Sequence, residues 1–331
     1  MKAVQAQTAG APFVVTELDV PEPKRDQVRV KVAACGICGG DAIPRLGLFG
    51  VQLPRVPGHE IAGVVDAVGE DVRLWKAGDR VGVGWSGGSD LTCEFCRRGD
   101  FTNCVGRTIV GTSYDGGYAE YMVAPQDAVA RIPDGLEFAE VAPLMCGGIT
   151  AFNALRHSPA RPGDTVAVQG VGGVGHLAIQ FADKMGFRTI AINRGREKEE
   201  LARRLGADEY VDSNEGSAGE AVRGHGGAAV ILATVDHADL QSDLVSGLRP
   251  NGRLIVLEGQ QPIQVTGHAL ANDRIDVGGW YSGVAADSED TLNFAVLKGV
   301  RPIVETFALE EAEYAFSNQS KINIRPVLLT G

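Results

Sequence analysis

Cysteine is scarce in this chain, and its scarcity limits how the fold can be stabilised. The 331 residues include only six cysteines, too few for the disulfide framework of a small secreted protein. In a reducing compartment, thiols serve as metal ligands or as buried side chains. The sequence therefore predicts metal sites rather than cross-links.

Basic clusters and long apolar runs are also missing. Lysine and arginine total 31 against 42 aspartate and glutamate residues, which gives a net charge of −11. An acidic chain without a basic cluster is poorly suited to bind nucleic acid or an anionic membrane. The N-terminal segment lacks an apolar signal core, and no later run approaches the ~20 apolar residues of a membrane span. We expect a cytoplasmic protein whose partner is a small-molecule substrate.

Length and strand patterns predict two domains and an α/β fold. The chain is about twice the length of a typical single domain. Up to about residue 130, short β-rich runs such as Gln27–Val32 and Ile61–Val65 alternate with glycine and proline, which is typical of an antiparallel β domain. After Pro143 the pattern changes to a helical stretch near Leu144–Leu155. It is followed by alternating strands and helices that begin with a strand at Thr165–Gln169 and a helix at Gly175–Met185. This alternation predicts a doubly wound parallel sheet.

A glycine-rich turn joins that first strand to that first helix. In this context Gly170 permits the tight turn, Gly172 lets backbone N–H groups approach a pyrophosphate, and Gly175 lets helix and strand pack closely. Gly173 and Val174 complete the turn, and the helix N-terminus adds partial positive charge. The segment predicts a dinucleotide site.

The end of the next predicted strand bears on which dinucleotide is bound. NAD-binding folds usually place an acidic residue there to bind the adenosine ribose, but this chain has Asn193, followed by Arg194 and Arg196. The missing carboxylate removes a charge that would repel a 2′-phosphate, and the two arginines are suited to bind one. We therefore expect NADP(H) in preference to NAD(H). The alternative is that the arginines belong to a solvated loop.

Three of the six thiols form a short cluster. Cys93, Cys96 and Cys104 lie within twelve residues, a spacing that indicates a structural zinc site. A fourth donor is required, and Asp90 lies three residues before Cys93. Carboxylates are acceptable zinc ligands, so we expect Asp90 to complete the set. The alternative is a site that binds zinc weakly or not at all.

The other thiols suggest a second metal site. Cys35, Cys38 and Cys146 remain, and His59 stands in a Gly-His-Glu segment. Two cysteines, a histidine and an open position form a catalytic zinc set. Spacing alone does not bring these residues together, because a free cysteine is commonly just a buried side chain.

In combination, these segments closely resemble the zinc-dependent medium-chain alcohol dehydrogenases, and especially their cinnamyl-alcohol-dehydrogenase-like branch. The resemblance spans nearly the whole chain. It is carried by the following segments, in this order: Cys35–Asp41, Pro57–Glu60, Ala77–Val81, the cysteine cluster with Asp90, Asp115–Tyr121, Leu144–Thr150 and Gly170–Gly175.

The resemblance implies a role for each residue of the second metal set. Cys38, His59 and Cys146 would hold the catalytic zinc, while Cys35 falls outside its ligands. Glu60 would lie close enough to the metal to exchange with water or substrate. Asp41 would orient the ligand histidine, as carboxylates beside metal-bound histidines commonly do. These residues form the implied catalytic centre.

The resemblance also implies the domain plan. A GroES-like zinc-binding domain would comprise residues 1–149 and 276–331, and a Rossmann NADP(H)-binding domain residues 150–275. Thr150, at the end of one of the shared segments, is a further cofactor-binding candidate. Zinc and a nicotinamide dinucleotide are the implied cofactors. A homodimer or homotetramer is the implied assembly.

One departure from the family concerns proton transfer. Relatives carry a serine or threonine hydroxyl two residues after the ligand cysteine, where this chain has Gly40. Either water completes the relay in ordinary aldehyde and alcohol chemistry, or the substrate is an iminium or activated C=C bond that needs no proton at oxygen. A third alternative is a non-catalytic NADP(H)-binding protein.

The candidate substrate-pocket residues are Gly40, Trp85 and Trp280. They suit an apolar or aromatic aldehyde, although both tryptophans are also compatible with a structural role.

Overall fold

The computed structural model describes residues 1–322 and 324–331 of the chain. Contacts divide the chain into two compact units, one formed by Met1–Ile149 with Gly283–Gly331 and the other by Thr150–Ser282. The second unit therefore ends at residue 282, whereas the predicted Rossmann domain ended at residue 275. The reason is that the strand Asp276–Gly279 pairs within the parallel sheet of the second unit.

Strands and helices occur in both units. The strands are β1 Lys2–Gln5, β2 Val14–Glu17, β3 Gln27–Gly36, β4 Ile61–Val68, β5 Arg80–Val83, β6 Tyr121–Pro125, β7 Val129–Arg131, β8 Thr165–Gln169, β9 Arg188–Asn193, β10 Glu209–Asp212, β11 Ala228–Ala233, β12 Leu248–Val256, β13 Asp276–Gly279, β14 Val304–Ala308 and β15 Arg325–Leu329. The helices are α1 Ala42–Leu46, α2 Phe138–Pro143, α3 Ile149–Arg156, α4 Gly175–Lys184, α5 Glu199–Arg204, α6 Ala218–Gly224, α7 Ala238–Leu244, α8 Gly267–Ala271, α9 Ala285–Lys298 and α10 Ala312–Ser317. Short 3-10 helices include Gly39–Asp41 and Cys96–Arg98, and a π-helical turn spans Leu144–Gly148.

The first unit is built around a largely antiparallel sheet. In the described part of the chain its strand order is β14-β15-β3-β4-β5-β7, with β6 also paired to β3. Strand β3 alternates between core and surface, so that Val28, Val30 and Val32 are buried, as expected for a sheet with one face on the core. The end of β3 leads into the turn that carries Cys38.

The second unit contains a parallel sheet with the order β10-β9-β8-β11-β12-β13, formed within residues 150–282, all of which are described. Strand β11 is buried along its whole length, because a parallel strand is covered by helices on both faces. The strand order reverses direction at β8, where the glycine turn follows. Ligands of such sheets bind at the carboxyl ends of the strands at this switch point. The predicted fold class is confirmed.

Contrary to the expectation from the sequence, one continuous helical stretch among the described residues, Phe138–Arg156, is long and apolar enough to cross a membrane by length and composition alone. It is composed of α2, the π-helical turn and α3, and 72% of its apolar window is buried inside the protein. Such burial is typical of a core helix. The stretch also carries Cys146 in its π-helical turn, a type of irregularity that is frequent at functional sites.

Candidate active site

Four potential metal ligands converge in the first unit. Cys38, His59, Glu60 and Cys146 each offer one ligand atom, and these atoms lie within 4.8 Å of one another. Cys38 immediately precedes the 3-10 helix after β3, and the histidine and glutamate immediately precede β4. The tertiary fold thus brings together the residues that the sequence only suggested. Cys35 lies outside the group, fully buried on β3.

The carboxylate of Asp41 holds this group in place. It is buried and lies 3.1 Å from the Nδ1 atom of His59. It also accepts hydrogen bonds from the backbone N–H groups of Cys38 and Gly58 and from the Tyr118 hydroxyl. Because one carboxylate binds the histidine ring and the backbone of both ligand segments, it sets the orientation of the imidazole. This matches the usual role of a carboxylate beside a metal-bound histidine.

The geometry of the group fits a metal ion. The Nε2 atom of His59 is buried and has no hydrogen-bond partner in the described part of the chain, as is expected of an atom that would bind a metal ion. The sulfur atoms of Cys38 and Cys146 lie 3.9 Å apart. That distance is far too long for a disulfide and close to the ~3.8 Å expected for two thiolates bound tetrahedrally to one zinc ion.

The thiols of this group have unequal acidities. A hydrogen bond with Cys146, helped by the nearby His59 and Arg325, lowers the pKa of Cys38 well below its ordinary value, against the opposing effect of burial. The same hydrogen bond and burial raise the pKa of Cys146 well above its ordinary value. The direction of the Cys38 pKa shift favours the thiolate. This is the form in which cysteine binds metal.

A buried ion pair lies beside the metal ligands. The guanidinium of Arg325, at the start of β15, contacts both carboxylate oxygens of Glu60, and both side chains are almost fully buried. Burial raises the pKa of Glu60 to about 7, and Arg325 opposes that rise. Gly36 is necessary for this arrangement, because a Cβ atom there would overlap the Glu60 carboxylate.

The candidate pocket residues lie in different units. Trp85 belongs to the first unit, where its ring meets the His59 imidazole edge to face at a centroid distance of 4.6 Å. Gly40 is adjacent to both rings. Trp280 belongs to the second unit, where it stacks on His157 and donates its indole N–H to Ser282. The structure thus places Trp85 and Gly40 beside the metal ligands and gives Trp280 packing partners within its own unit.

The cysteine cluster forms a second group of converging donors. Ligand atoms of Asp90, Cys93, Cys96 and Cys104 lie within 4.8 Å of one another. One oxygen of Asp90 accepts hydrogen bonds from the backbone N–H groups of Thr92 and Cys93, and these bonds hold the pKa of Asp90 well below its ordinary value. Its ionised carboxylate therefore lies where it could offer a fourth donor atom to a metal ion.

The glycine turn of the second unit has the shape of a phosphate cradle. Gly170 has a φ of +94°, which favours glycine. A Cβ atom on Gly175 would overlap the carbonyl oxygen of Gly170, whereas one on Gly172 would meet nothing within 4 Å. The tight contact at Gly175 lets the helix pack closely on the strand, and the open space at Gly172 lets the backbone approach a pyrophosphate. Gly173 and Val174 complete the turn before α4.

A cavity of about 640 Å³ lies at the carboxyl ends of β8 and β9. Asn193 and Arg194 line it, together with Glu197 and Lys198. Arg196 is not among its lining residues, because Glu215 and Glu199 bind its guanidinium.

Thr150 lies at the start of α3 and is also outside the lining of this cavity. Of the cofactor-binding candidates in the second unit, Gly170, Asn193 and Arg194 line this cavity, and the rest of the glycine turn follows Gly170 along the chain.

Three further residues of these sites carry no signal in the sequence. Tyr118 binds Asp41, Arg325 binds Glu60, and Lys198 lines the cavity and donates to the carbonyl of Val171 in the glycine turn. A tyrosine after two glycines and an arginine at a strand start do not by themselves indicate such roles. Lys198 stands five residues after Asn193, and only the turn that follows β9 directs it back toward the glycines.

Comparison with known proteins agrees with this geometry. Residues 24–134 match the alcohol dehydrogenase GroES-like domain, and residues 173–296 match the zinc-binding dehydrogenase family. The alcohol dehydrogenase patD of Penicillium expansum is 42% identical over 316 residues, which cover 96% of this chain and 93% of that protein. The alcohol dehydrogenase notN of an Aspergillus species is 41% identical, with coverages of 96% and 95%.

Solved structures show the same fold. A cinnamyl alcohol dehydrogenase from Sorghum bicolor superposes with a TM-score of 0.90 at 29% identity, covering 99% of this chain and 96% of that one. An NAD-dependent alcohol dehydrogenase gives 0.92 at 29% identity over the full length of both chains. A zinc-binding dehydrogenase from Sinorhizobium meliloti bound to NADP gives 0.91 at 26% identity and 99% coverage of both. The predicted resemblance is confirmed: this chain belongs to the zinc-type medium-chain alcohol dehydrogenases.

Proposed function

We propose that this alcohol dehydrogenase transfers hydride between NADP(H) and a small aldehyde or alcohol, with an apolar or aromatic substrate favoured. The observation that carries the proposal is the buried, unpartnered Nε2 atom of His59, which faces the sulfur atoms of Cys38 and Cys146 within one donor group of the described chain. These three residues would hold a zinc ion. When bound, zinc supplies a Lewis acid for the carbonyl or alkoxide oxygen.

The remaining residues of the centre keep this ligand set in order. Asp41 fixes the imidazole through Nδ1, so that Nε2 points to the metal position. Arg325 neutralises Glu60 and holds it at the edge of the donor group. A carboxylate so close to the thiolates would otherwise add negative charge to the centre, which would weaken its capacity to stabilise an alkoxide.

Preference for NADP(H) rests on the end of β9. Asn193 offers no carboxylate to repel a 2′-phosphate, and the exposed Arg194 lines the cavity without an ion pair to another described residue. A guanidinium is well suited to bind a phosphate by paired hydrogen bonds. Arg196, which Glu215 already binds, is assigned no direct role in this proposal.

The substrate class rests on Trp85 and Gly40. The indole forms an apolar wall beside His59, and aromatic surfaces favour apolar ligands. Gly40 provides no hydroxyl, so a water molecule would carry the proton to or from the substrate oxygen. The same absence would be harmless if the substrate were an iminium or an activated C=C bond, so compounds of both classes belong in the substrate panel.

The test combines metal content with that panel. Zinc per chain is measured together with the oxidation of NADPH and NADH over aliphatic and aromatic aldehydes, enals and cyclic imines. We expect bound zinc, aldehyde reduction and a higher kcat/KM with NADPH. Reduction of enals or imines without aldehydes would replace the proposed substrate class, and cofactor binding without turnover would contradict the enzymatic role.

A matched pair of cysteine variants tests the ligand assignment. Cys38→Ser should lose the catalytic zinc and turnover, because a hydroxyl is a much poorer zinc ligand than a thiolate. Cys35→Ala is the control, since Cys35 is buried on β3 but lies outside the donor group. Full turnover in Cys38→Ser would overturn the proposed mechanism.

We also propose that the protein assembles as a homodimer or homotetramer, as the family resemblance implies. Sedimentation equilibrium of the zinc-loaded protein tests this proposal.

A further inference from the structure

We propose that Glu197 is a second cofactor-selectivity residue, opposed to Arg194, and that it takes over the ribose-binding role that Asn193 at the end of β9 cannot fill. This inference rests on the proposed binding of a nicotinamide dinucleotide in the cavity of the second unit. In this cavity, Arg194 favours a ribose with a 2′-phosphate and Glu197 favours a ribose with a free 2′-hydroxyl. Their balance would make the enzyme prefer NADP(H) while it still accepts NAD(H).

Negative charge enters the lining of the cavity at a single position. Glu197 is the one acidic side chain among the residues that line it, and the lining lies within residues 150–282, all of which are described. The side chains of Asn193, Ser213 and Asn214 around it are uncharged. A ribose in this cavity would therefore find its only charged acceptor at position 197. Carboxylates bind ribose hydroxyls in dinucleotide folds.

The turn that carries Arg194 and Glu197 is held by hydrogen bonds. Gly195 lies between them, with a φ of +75°. Its backbone N–H donates to Asp212, and its carbonyl oxygen accepts from the Tyr210 hydroxyl. Because both polar groups of Gly195 are bonded to β10, the turn has a fixed conformation.

The Glu197 side chain points back along the turn toward Gly195. A Cβ atom on Gly195 would overlap the Glu197 carboxylate, so the carboxylate lies directly over this glycine. Glu197 itself stands four residues past Asn193, the strand-end position where the expected acid is absent, and its carboxylate lies over Gly195, two residues past Asn193. Glu197 forms no ion pair with another residue of the described chain, in contrast to Glu199 and Glu200 of the adjacent helix. Its charge is therefore available to a ligand.

These observations give opposite expectations for the two charged residues. Removing the Glu197 charge should strengthen binding of a 2′-phosphate, because like charges repel. Removing the Arg194 charge should weaken it, because a charge-assisted hydrogen bond is lost. The free 2′-hydroxyl should respond in the opposite sense to the Glu197 change, since it loses an ionised acceptor.

The experiment uses two cofactor fragments that require neither the nicotinamide nor zinc. Affinities of the full-length zinc-loaded protein for adenosine 2′,5′-bisphosphate and for 5′-AMP are measured by calorimetry at low salt. The variants are Glu197→Gln and Arg194→Gln. Glu200→Gln is the control, because it removes the same charge from an exposed carboxylate that pairs with Arg204 outside the cavity.

We expect Glu197→Gln to raise the ratio of bisphosphate to 5′-AMP affinity about threefold to tenfold. This is the size of effect that one solvent-exposed charge has on a neighbouring charge. Arg194→Gln should lower the ratio by a similar factor, and Glu200→Gln should leave it unchanged. An unchanged ratio in Glu197→Gln, or the same shift in Glu200→Gln, would overturn the role of Glu197. A wild-type protein that prefers 5′-AMP would instead overturn the proposed NADP(H) preference alone, and failure to bind either fragment would overturn both.

Discussion

The indole ring of Trp85 occupies the space that any side chain at position 40 would need. A Cβ atom built on Gly40 would lie 2.8 Å from the Cζ3 atom of Trp85 and 3.0 Å from the Cε1 atom of His59. The tryptophan ring also packs edge to face on the histidine. The glycine at position 40, which leaves out the relay hydroxyl, is therefore what allows Trp85 to pack against His59, a candidate metal ligand.

The first prediction is that Gly40→Ser alone destabilises the protein. The new side chain would press on Trp85 and His59, and overpacking of this kind costs about 1–3 kcal/mol of unfolding free energy. In the double variant Gly40→Ser with Trp85→Ala, the serine has room, so the loss should be smaller than the sum of the two single losses. Urea unfolding of the three variants measures this coupling.

The same variants test the proton relay. Alcohol oxidation by the double variant should exceed that of Trp85→Ala, since a serine hydroxyl then stands beside the ligand set and a general acid–base group contributes about tenfold or more. If the stability losses of the two single variants add up in the double variant, the serine and the tryptophan do not compete for the same space. If the double variant oxidises alcohol no faster than Trp85→Ala, the serine hydroxyl does not act as a proton relay.

The second prediction concerns the buried pair of Glu60 and Arg325. Arg325→Met should lower the unfolding free energy by about 3–5 kcal/mol, because it leaves a buried carboxylate without its counter-charge. The double variant Glu60→Gln with Arg325→Met should recover part of that loss. Chemical denaturation measures both, and Arg249→Met is the control.

Arg249 forms an ion pair with Asp164 at 2.8 Å, but its side chain is 43% exposed. Its loss should cost no more than about 1 kcal/mol. Equal losses in Arg249→Met and Arg325→Met would mean that the Glu60 pair has no special effect on stability.

The third prediction concerns the fourth donor of the cysteine cluster. Asp90→Ala should remove the metal from this site, and Asp90→Cys should retain it and slow its release to a chelator, because a thiolate is a softer ligand than a carboxylate. Zinc per chain and the kinetics of zinc transfer to a chromophoric chelator provide the measurement. Asp100→Ala, which removes a carboxylate that binds Asn103 in the same segment, should change neither value. Retention of zinc in Asp90→Ala would exclude Asp90 as a ligand.

The fourth prediction separates two glycines of the phosphate cradle. Gly175→Ala should destabilise the second unit, since its methyl group would overlap the backbone oxygen of Gly170. A Cβ atom on Gly172 would meet nothing within 4 Å, so the stability of Gly172→Ala should remain near that of the wild type. The substitution should nevertheless weaken cofactor binding, because its methyl group would enter the space of the pyrophosphate. Thermal unfolding and NADPH titration distinguish the two, and normal NADPH affinity in Gly172→Ala would contradict the cradle.

Much of the fold was predictable from local patterns. The strand Thr165–Gln169 and the glycine turn after it have the bounds that the sequence predicted, because strand alternation and glycine conformations are properties of neighbouring residues. The predicted helix at Gly175–Met185 ends one residue earlier, at Lys184. The domain boundary after residue 282, rather than after residue 275, depends on the pairing of β13 with β12, a non-local contact, and local patterns could not give it.

The sequence by itself determined which donors were available: the thiols at 38, 93, 96, 104 and 146, the histidine at 59 and the glycines of the turn. The tertiary structure decided which of them meet and what surrounds them. Arg325 reaches Glu60 across 265 residues of chain, and Glu215 binds Arg196, which the sequence pattern had suggested for a phosphate. Charges and rings act over a few ångströms, and only the folded backbone sets which residues come within that distance.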